Sequence, residues 1–223
     1  TGWGVVSAYR ALTWSPLGGR TIGELNALAG GTLVKVSNAV ITSGSLEMAD
    51  RLYVEQMDRA CGTMLPFTTK PAGYSEGDVV DITGTVMTVN GERCITGATL
   101  SKTGHITPLK PIAIPPRWMG GTRKDRKSGV TNGVGTNNIG LLVTSFGRVT
   151  AVGWTYFYID DGSERKDGSG MTGLKVMCRN LVKPQVGSYV RVTGISSVEQ
   201  PPDAGVSIPV LRVRRQSDIE TVQ

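Results

Sequence analysis

The sequence predicts an all-β protein that contains two copies of one five-stranded unit. Two features of the composition support the β class: the 223 residues include 25 Val and 24 Thr, and 30 Gly supply many turns. Val and Thr favour strands, and many short strands separated by turn residues are typical of barrels and sandwiches. The third observation is an internal repeat, which divides the chain into two similar halves.

The repeat consists of three segments that recur in the same order. The first segment of each copy has a tyrosine between two apolar residues, followed by an acidic residue. The second segment is short and begins with Gly, and the third is longer and contains Thr-Gly. These segments are residues 52–56, 62–65 and 77–86 in the first copy, and residues 157–161, 173–176 and 187–196 in the second. Two copies of one β unit are the simplest explanation of this order.

Two further strands complete each copy. The opening strands alternate apolar and polar residues, as a strand with one buried face requires. The opening strands are predicted over residues 32–42 and 141–152, and the closing strands over residues 92–96 and 207–214. Each copy is therefore a unit of about five strands.

Local signals add one turn and one short helix. Asn90-Gly91 stands between the fourth and fifth strands of the first copy, and Asn-Gly is the signal of a type I′ hairpin. Thr21 and Glu24 match a capping box, in which each side chain accepts a hydrogen bond from a free backbone N–H. The sequence predicts one or two helical turns over residues 21–28.

The pattern Gly-x-x-Val-x-Val/Ile-Thr-Gly, at residues 77–84 and 187–194, resembles the fourth strand of the OB-fold, a small Greek-key barrel. More narrowly, residues 158–163, 173–176 and 192–197 resemble OB-like modules of secreted bacterial proteins that have no assigned role. The resemblance implies tandem OB-like barrels. The predicted division is an N-terminal extended segment over residues 1–20, a first barrel over 21–110, a connector over 111–138 and a second barrel over 139–223.

The OB-like arrangement also suggests one disulfide. Cys61 precedes the third strand and Cys94 lies in the fifth, and these strands are neighbours where an OB barrel closes. A Cys61–Cys94 bridge is therefore a hypothesis, which leaves Cys178 as a small buried apolar residue.

Several function classes are disfavoured by what the sequence lacks. His105 is the single histidine, and the three cysteines form no Cys-x-x-Cys pair, so histidine-rich metal sites are excluded. No phosphate-binding or dinucleotide motif is present, and we expect neither a metal, nor a cofactor, nor an enzyme. No apolar run approaches 18 residues, so no membrane span is predicted.

The predicted connector is rich in Gly, Pro and basic residues. The net charge of the chain is +6, and the connector carries much of it, with one acidic residue, Asp125, among five basic ones. The basic residues are Arg117, Arg123, Lys124, Arg126 and Lys127. They could contact the phosphates of a nucleic acid, although a solvated linker is the commoner role of such a run.

An aromatic face is predicted on the second barrel. If Phe157 points into the core, alternation places Trp154, Tyr156 and Tyr158 outside, with Lys175 of the next strand on the same side. OB barrels use their second and third strands to bind single-stranded nucleic acid or a sugar chain. The alternative is that this face is buried against the connector, the other barrel or a second subunit.

The N-terminal segment is apolar on both faces of an extended chain. Trp3, Val5 and Tyr9 fall on one side, whereas the other side carries Val6, Ala8, Leu12 and Trp14. A strand that is apolar on both faces requires burial on both, for example by strand addition to another copy. We therefore expect a non-enzymatic, self-assembling subunit of an extracellular filament or surface assembly, with nucleic-acid or glycan binding as the alternative.

The extracellular location rests on the start of the chain. The sequence begins at Thr1 rather than Met, as a secreted protein does after its signal peptide is removed. The expected partners are copies of the protein itself.

Overall fold

The computed structural model describes residues 19–168, 170–201 and 205–222. It is almost entirely β, with two β domains in tandem, and the predicted fold class is confirmed. The helix predicted at residue 21 forms as α1 (Ile22–Leu25), and its capping box is present, because Thr21 and Glu24 bond each other's backbone N–H. Ile22 and Leu25 are buried in the first barrel, so this single turn covers part of its core.

The first barrel is closed by five strands in the order β1-β2-β3-β5-β4. The pairs are antiparallel except for β3 with β5, where Met64 lies opposite Cys94 in a parallel pair. This closure is the Greek-key arrangement of an OB barrel. The strands are β1 (Leu33–Ser43), β2 (Arg51–Glu55), β3 (Gly62–Pro66), β4 (Asp78–Val89) and β5 (Glu92–His105).

The second barrel repeats this strand order. Its strands follow the order β7-β8-β9-β11-β10, the β10–β7 pair closes the barrel, and β9 pairs with β11 in parallel. Two short strands, β6 and β12, extend the same sheet. The bounds are β6 (Ile112–Ala113), β7 (Leu142–Val152), β8 (Tyr156–Asp160), β9 (Leu174–Met177), β10 (Tyr189–Glu199), β11 (Ile208–Arg212) and β12 (Ile219–Val222).

The predicted hairpin turn forms between β4 and β5. Asn90 and Gly91 have φ angles of 50° and 82°, and a type I′ turn requires positive φ at both central residues. The hairpin is longer than the sequence suggests, because β5 continues to His105 beside β4. Intermediate and exposed residues alternate in the middle of β5, over residues 96–101, whereas residues 102–105 at its end are all exposed.

The two barrels pack directly against each other. Tyr53, Met64 and Cys94 of the first barrel form a buried cluster with Leu142 and Ile195 of the second. Because Tyr53 and Met64 point away from the core of their own barrel, the second barrel covers the outer face of β2 and β3. The surface that many OB barrels use for binding is therefore occupied in the first barrel by a domain contact.

A close backbone approach fixes this junction. A Cβ atom added at Gly62 would lie 2.1 Å from the carbonyl oxygen of Gly140, and one added at Gly140 would lie 2.5 Å from the carbonyl carbon of Gly62. Gly140 also has a φ of +89°, where side chains are strained. Any side chain at either position would push the two barrels apart.

Two buried ionisable groups lie at the same junction. Glu55 accepts hydrogen bonds from the Leu142 N–H and from Arg59, and burial raises the pKa of Glu55 to about 7. Lys127 donates to the carbonyl oxygens of Gly62 (3.1 Å) and Ile139 (2.6 Å), and burial lowers the pKa of Lys127 to about 8. These contacts connect the first barrel to the start of the second.

The structure corrects the disulfide hypothesis. All three cysteines are free and buried thiols. Cys94 lies opposite Met64 of β3, and Cys61, just before β3, is three residues from Met64 along the chain. At the rise of a strand this is about 10 Å, which is beyond disulfide reach. Cys61 also belongs to the core of the first barrel, whereas Cys94 faces the junction between the barrels.

Candidate functional site

The aromatic face predicted on β8 and β9 does not form an open platform. Tyr158 is only 2% exposed, because its hydroxyl group bonds Asp167 (3.1 Å) of the loop that follows β8. Tyr156 is half-buried and meets Tyr158 edge to face. Lys175 lies 4.9 Å from the ring centre of Tyr156. Tyr158 is therefore buried, but its hydroxyl partner belongs to a loop of its own barrel and not to the connector, the other barrel or a second subunit.

Trp154 and Lys175 also differ from their predicted roles. Trp154 is 90% exposed, but it stands in the turn between β7 and β8 rather than in a row with the two tyrosines. The Lys175 ammonium group is paired with Glu199 at 2.7 Å. A ligand on this face would have to compete with that ion pair.

The five basic residues of the connector are not one patch. Arg123, Lys124 and Arg126 are exposed in a tight loop, whereas Lys127 turns inward to the junction described above and is 3% exposed. Arg117 stands apart from them in a 3₁₀ turn (Pro116–Trp118), where its guanidinium lies 5.9 Å from the Trp118 ring centre. The prediction that Lys127 contributes to phosphate binding is therefore wrong, because a domain contact buries it.

The N-terminal residues predicted to join subunits lie outside the described residues. These are Trp3, Val5, Val6, Tyr9, Leu12 and Trp14.

A different aromatic surface is exposed on the second barrel, on β7 and β10. Phe146 and Tyr189 are 46% and 50% exposed, and their rings stack with centres 5.8 Å apart and planes 14° apart. In the β7–β10 pair, Phe146 lies opposite Arg191 and Arg148 lies opposite Tyr189. We call these four residues the stacking face.

Strand alternation explains why the four side chains share one side of the sheet. Val190, between Tyr189 and Arg191, and Val192, after Arg191, point into the core of the second barrel. Residues at alternate positions of a strand face the same way, so Phe146 with Arg148, and Tyr189 with Arg191, point outward together. The result is a diagonal pair of rings and a diagonal pair of guanidinium groups.

The surroundings of the stacking face offer both apolar and charged neighbours. A hollow of about 290 Å³ beside Phe146 is lined by Ile114, Pro115 and Pro116. The Arg191 guanidinium is paired at the surface with Glu220, and the Nε of Arg148 donates to the carbonyl oxygen of Gly187 (3.4 Å). Exposed ion pairs contribute little to stability, so both guanidinium groups can turn towards an anion at small cost.

This arrangement suits a ligand that has flat rings and negative charges. Aromatic rings with exposed faces stack on unpaired bases, and guanidinium groups bind phosphate oxygens. The sequence contains the signal for this face, since alternation about the buried Val143 and Val149 places Phe146 outside. What the sequence does not show is that Phe146 and Tyr189, more than forty residues apart, become neighbours across β7 and β10.

The described residues include no group of three His, Cys, Asp or Glu side chains that could hold a metal ion. Within the same residues, no helix has both the length and the hydropathy needed to cross a membrane.

Comparison with known proteins gives no family. No protein-family model matches the chain, and no curated protein matches it either. A solved structure with some similarity is p202 HIN1 in complex with a 12-mer dsDNA, at 11% sequence identity and a TM-score of 0.34. The match covers 88% of this chain and 95% of that chain. A TM-score this low supports no conclusion about fold or function.

Proposed function

We propose that this protein is a binding module for single-stranded nucleic acid, and that the stacking face of the second barrel is its binding surface. The observation that carries the proposal is the parallel stack of Phe146 and Tyr189, half-exposed and flanked by Arg148 and Arg191. It replaces the aromatic face on β8 and β9 that alternation alone predicts.

The chemistry favours single strands over a duplex. Only an unpaired base can present its whole face to a protein ring, whereas bases in a duplex are covered by their neighbours. Stacking of one base on an aromatic side chain contributes about 1 to 3 kcal/mol, so two rings can hold two bases. The two guanidinium groups, on the same face, are placed to neutralise phosphates between those bases.

The test is fluorescence anisotropy with a labelled oligothymidylate. We expect Phe146→Ala and Tyr189→Ala each to weaken binding about tenfold, which corresponds to about 1.4 kcal/mol of lost stacking. Arg148→Ala and Arg191→Ala should each reduce the slope of log affinity against log salt by about 0.7, the value for one phosphate contact on a single strand.

Trp154→Ala is the matched control, because Trp154 is also an exposed aromatic residue of the second barrel but lies outside the stacking face. Its binding should equal that of the parent protein. Binding that is lost in Trp154→Ala and kept in Tyr189→Ala would instead support the β8–β9 face. Binding of a neutral sugar chain that does not respond to salt would favour the glycan alternative.

Export and self-assembly stay predictions from the sequence. The residues that would join one subunit to the next are outside the described part of the chain, so the support for self-assembly is the apolar pattern of residues 1–16 alone. A binding surface on the second barrel is compatible with such an assembly, because the two roles use different residues.

A further inference from the structure

The hollow beside Phe146 adjoins the stacking face and has no role in the proposed function. It has a volume of about 290 Å³, and its lining includes Phe146 and Arg191, which also belong to the stacking face. A strand whose bases stack on Phe146 and Tyr189 therefore passes the mouth of this hollow. We call it the apolar hollow.

One wall of the apolar hollow is the first part of the connector. Its residues are Ala113, Ile114, Pro115 and Pro116. In the parallel β6–β7 pair, Ala113 lies opposite Thr144, two residues before Phe146. The preceding pair, Ile112 and Val143, packs in the core of the second barrel. Alternation therefore turns Ala113 outward, to the same side of the sheet as Phe146.

The backbone of this wall has its hydrogen bonds already made. The Ile114 N–H donates to a carbonyl oxygen of β7 (2.9 Å), and proline has no N–H. The carbonyl oxygens of Pro115 and Pro116 accept hydrogen bonds from the N–H groups of Trp118 (3.0 Å) and Met119 (3.3 Å). A polar group that enters here would lose its hydrogen bond to water and gain none along residues 114–116, which costs free energy.

Two charged residues stand at the rim of the apolar hollow. Asp161 and Arg191 are both part of its lining and both exposed. Asp161 accepts the N–H of Ser163 (3.1 Å) through one oxygen, and Arg191 is paired with Glu220. Because the two charges are opposite, the rim has no net charge that would hold a phosphate inside. The edge of a neutral base fits this lining better.

Among the bases, thymine matches an apolar wall best. On the edge that faces the major groove of a duplex, adenine and guanine carry two polar groups and cytosine carries an amino group. Thymine carries a carbonyl oxygen and the C5-methyl group on the same edge, and uracil has a hydrogen atom in place of this methyl group. A methyl group gains free energy on an apolar surface and needs no hydrogen-bond partner.

We propose that the apolar hollow takes the C5-methyl group of a thymine base, so that the protein prefers thymine-containing single-stranded DNA to the same chain with uracil. This inference rests on the proposed function, because it adds a subsite to the stacking face. The methyl group lies against Ala113 and the two prolines, next to the ring of Phe146.

The experiment is fluorescence anisotropy of the whole chain with a labelled oligothymidylate. The label is displaced by unlabelled oligothymidylate or by oligodeoxyuridylate of the same length, which differ only in the C5-methyl groups. Burial of one methyl group corresponds to about fourfold in affinity, so oligothymidylate should displace the label at an about fourfold lower concentration.

The possible failures are distinguishable. Equal potency of the two competitors would overturn the methyl subsite and leave the stacking face intact. No binding of the labelled chain would refute the proposed function and this inference with it. Tighter binding of oligodeoxycytidylate than of oligothymidylate would assign the selectivity to the Asp161 carboxylate, which can accept from the cytosine amino group, and would also overturn the proposal.

Three variants locate the preference. Ala113→Leu, at an exposed position, fills the apolar hollow and should reduce the fourfold preference to less than about twofold, with circular dichroism to verify folding. Ala72→Leu, the same change at an exposed loop position of the first barrel, is the matched control and should keep the preference. Tyr189→Ala should weaken both chains equally. A preference that survives in Ala113→Leu and disappears in Tyr189→Ala would assign it to ring stacking and refute the apolar hollow as its source.

Discussion

Replacement of Glu55 by Gln should remove a pH dependence of stability that the junction creates. The Glu55 side chain is 0% exposed, and burial is the largest influence on its pKa, which rises from 4.5 to about 7 in spite of Arg59. The folded protein therefore holds this proton more tightly than the unfolded chain does. Stability should fall as the pH rises from about 4.5 through 7, because the folded state then has to bury a charge.

The size of the effect follows from the two pKa values. Between pH 5 and pH 8, ionisation of a group whose pKa is 4.5 unfolded and about 7 folded lowers stability by about 2 to 3 kcal/mol. Gln cannot ionise and keeps an oxygen that accepts the Leu142 N–H. Glu55→Gln should therefore stabilise the protein relative to the parent at pH 8 by that much more than at pH 5.

Urea unfolding at both pH values measures this difference. Tryptophan fluorescence and circular dichroism should give coincident transitions, so that each titration yields one free energy. The control is Glu164→Gln, a change at an exposed loop position, which should have the same small effect at both pH values. An effect of Glu55→Gln that is equal at pH 5 and pH 8 would refute the argument that burial of Glu55 sets its pKa.

Three further changes test the junction and the N-terminal segment. Lys127→Met should lower the free energy of unfolding by about 1 to 3 kcal/mol at pH 7, because it leaves two carbonyl oxygens without a donor. The parent should become more stable as the pH rises from about 8 to 10.5, because the buried ammonium group loses its proton, and this rise should be absent in the variant. Gly62→Ala should destabilise by about 1 to 3 kcal/mol in urea titrations because its Cβ meets the Gly140 carbonyl, whereas Gly104→Ala, with no atom closer than 3.9 Å, should change stability by less than about 1 kcal/mol. Deletion of residues 1–16 should abolish any filaments that electron microscopy shows for the intact chain, and filaments that persist would refute strand addition by this segment.

Much of the fold depends on residues that are close together in the chain, and this part can be predicted from the sequence. The Asn90-Gly91 turn and the Thr21–Glu24 capping box each depend on residues next to each other in the chain, and both form as predicted. The strands follow from alternation, and the repeat identifies both barrels. The end of β5 was harder to predict, because its second half becomes a mostly exposed strand beside β4 and has no apolar alternation to mark it.

The candidate sites depend on contacts between distant residues, which alternation does not provide. Alternation predicts the side of the strand on which Tyr158 lies. It does not predict that the following loop, which contains Asp167, covers this side. Lys127 belongs to a basic run in the sequence, yet the carbonyl oxygens that bind it come from β3 and from the start of the second barrel. Phe146 and Tyr189 are paired only by the closure of β7 onto β10.

The measurement that tests the central claim most directly is photo-crosslinking of a single-stranded oligonucleotide that carries 5-iodouridine, followed by mass spectrometry of the peptides. The proposal has unpaired bases stack on the rings of Phe146 and Tyr189, so crosslinks should form at these two residues. An excess of unlabelled single-stranded oligonucleotide should suppress these crosslinks. Crosslinks confined to Trp154 or to the loop of Arg123, with none at the stacking face, would contradict the account.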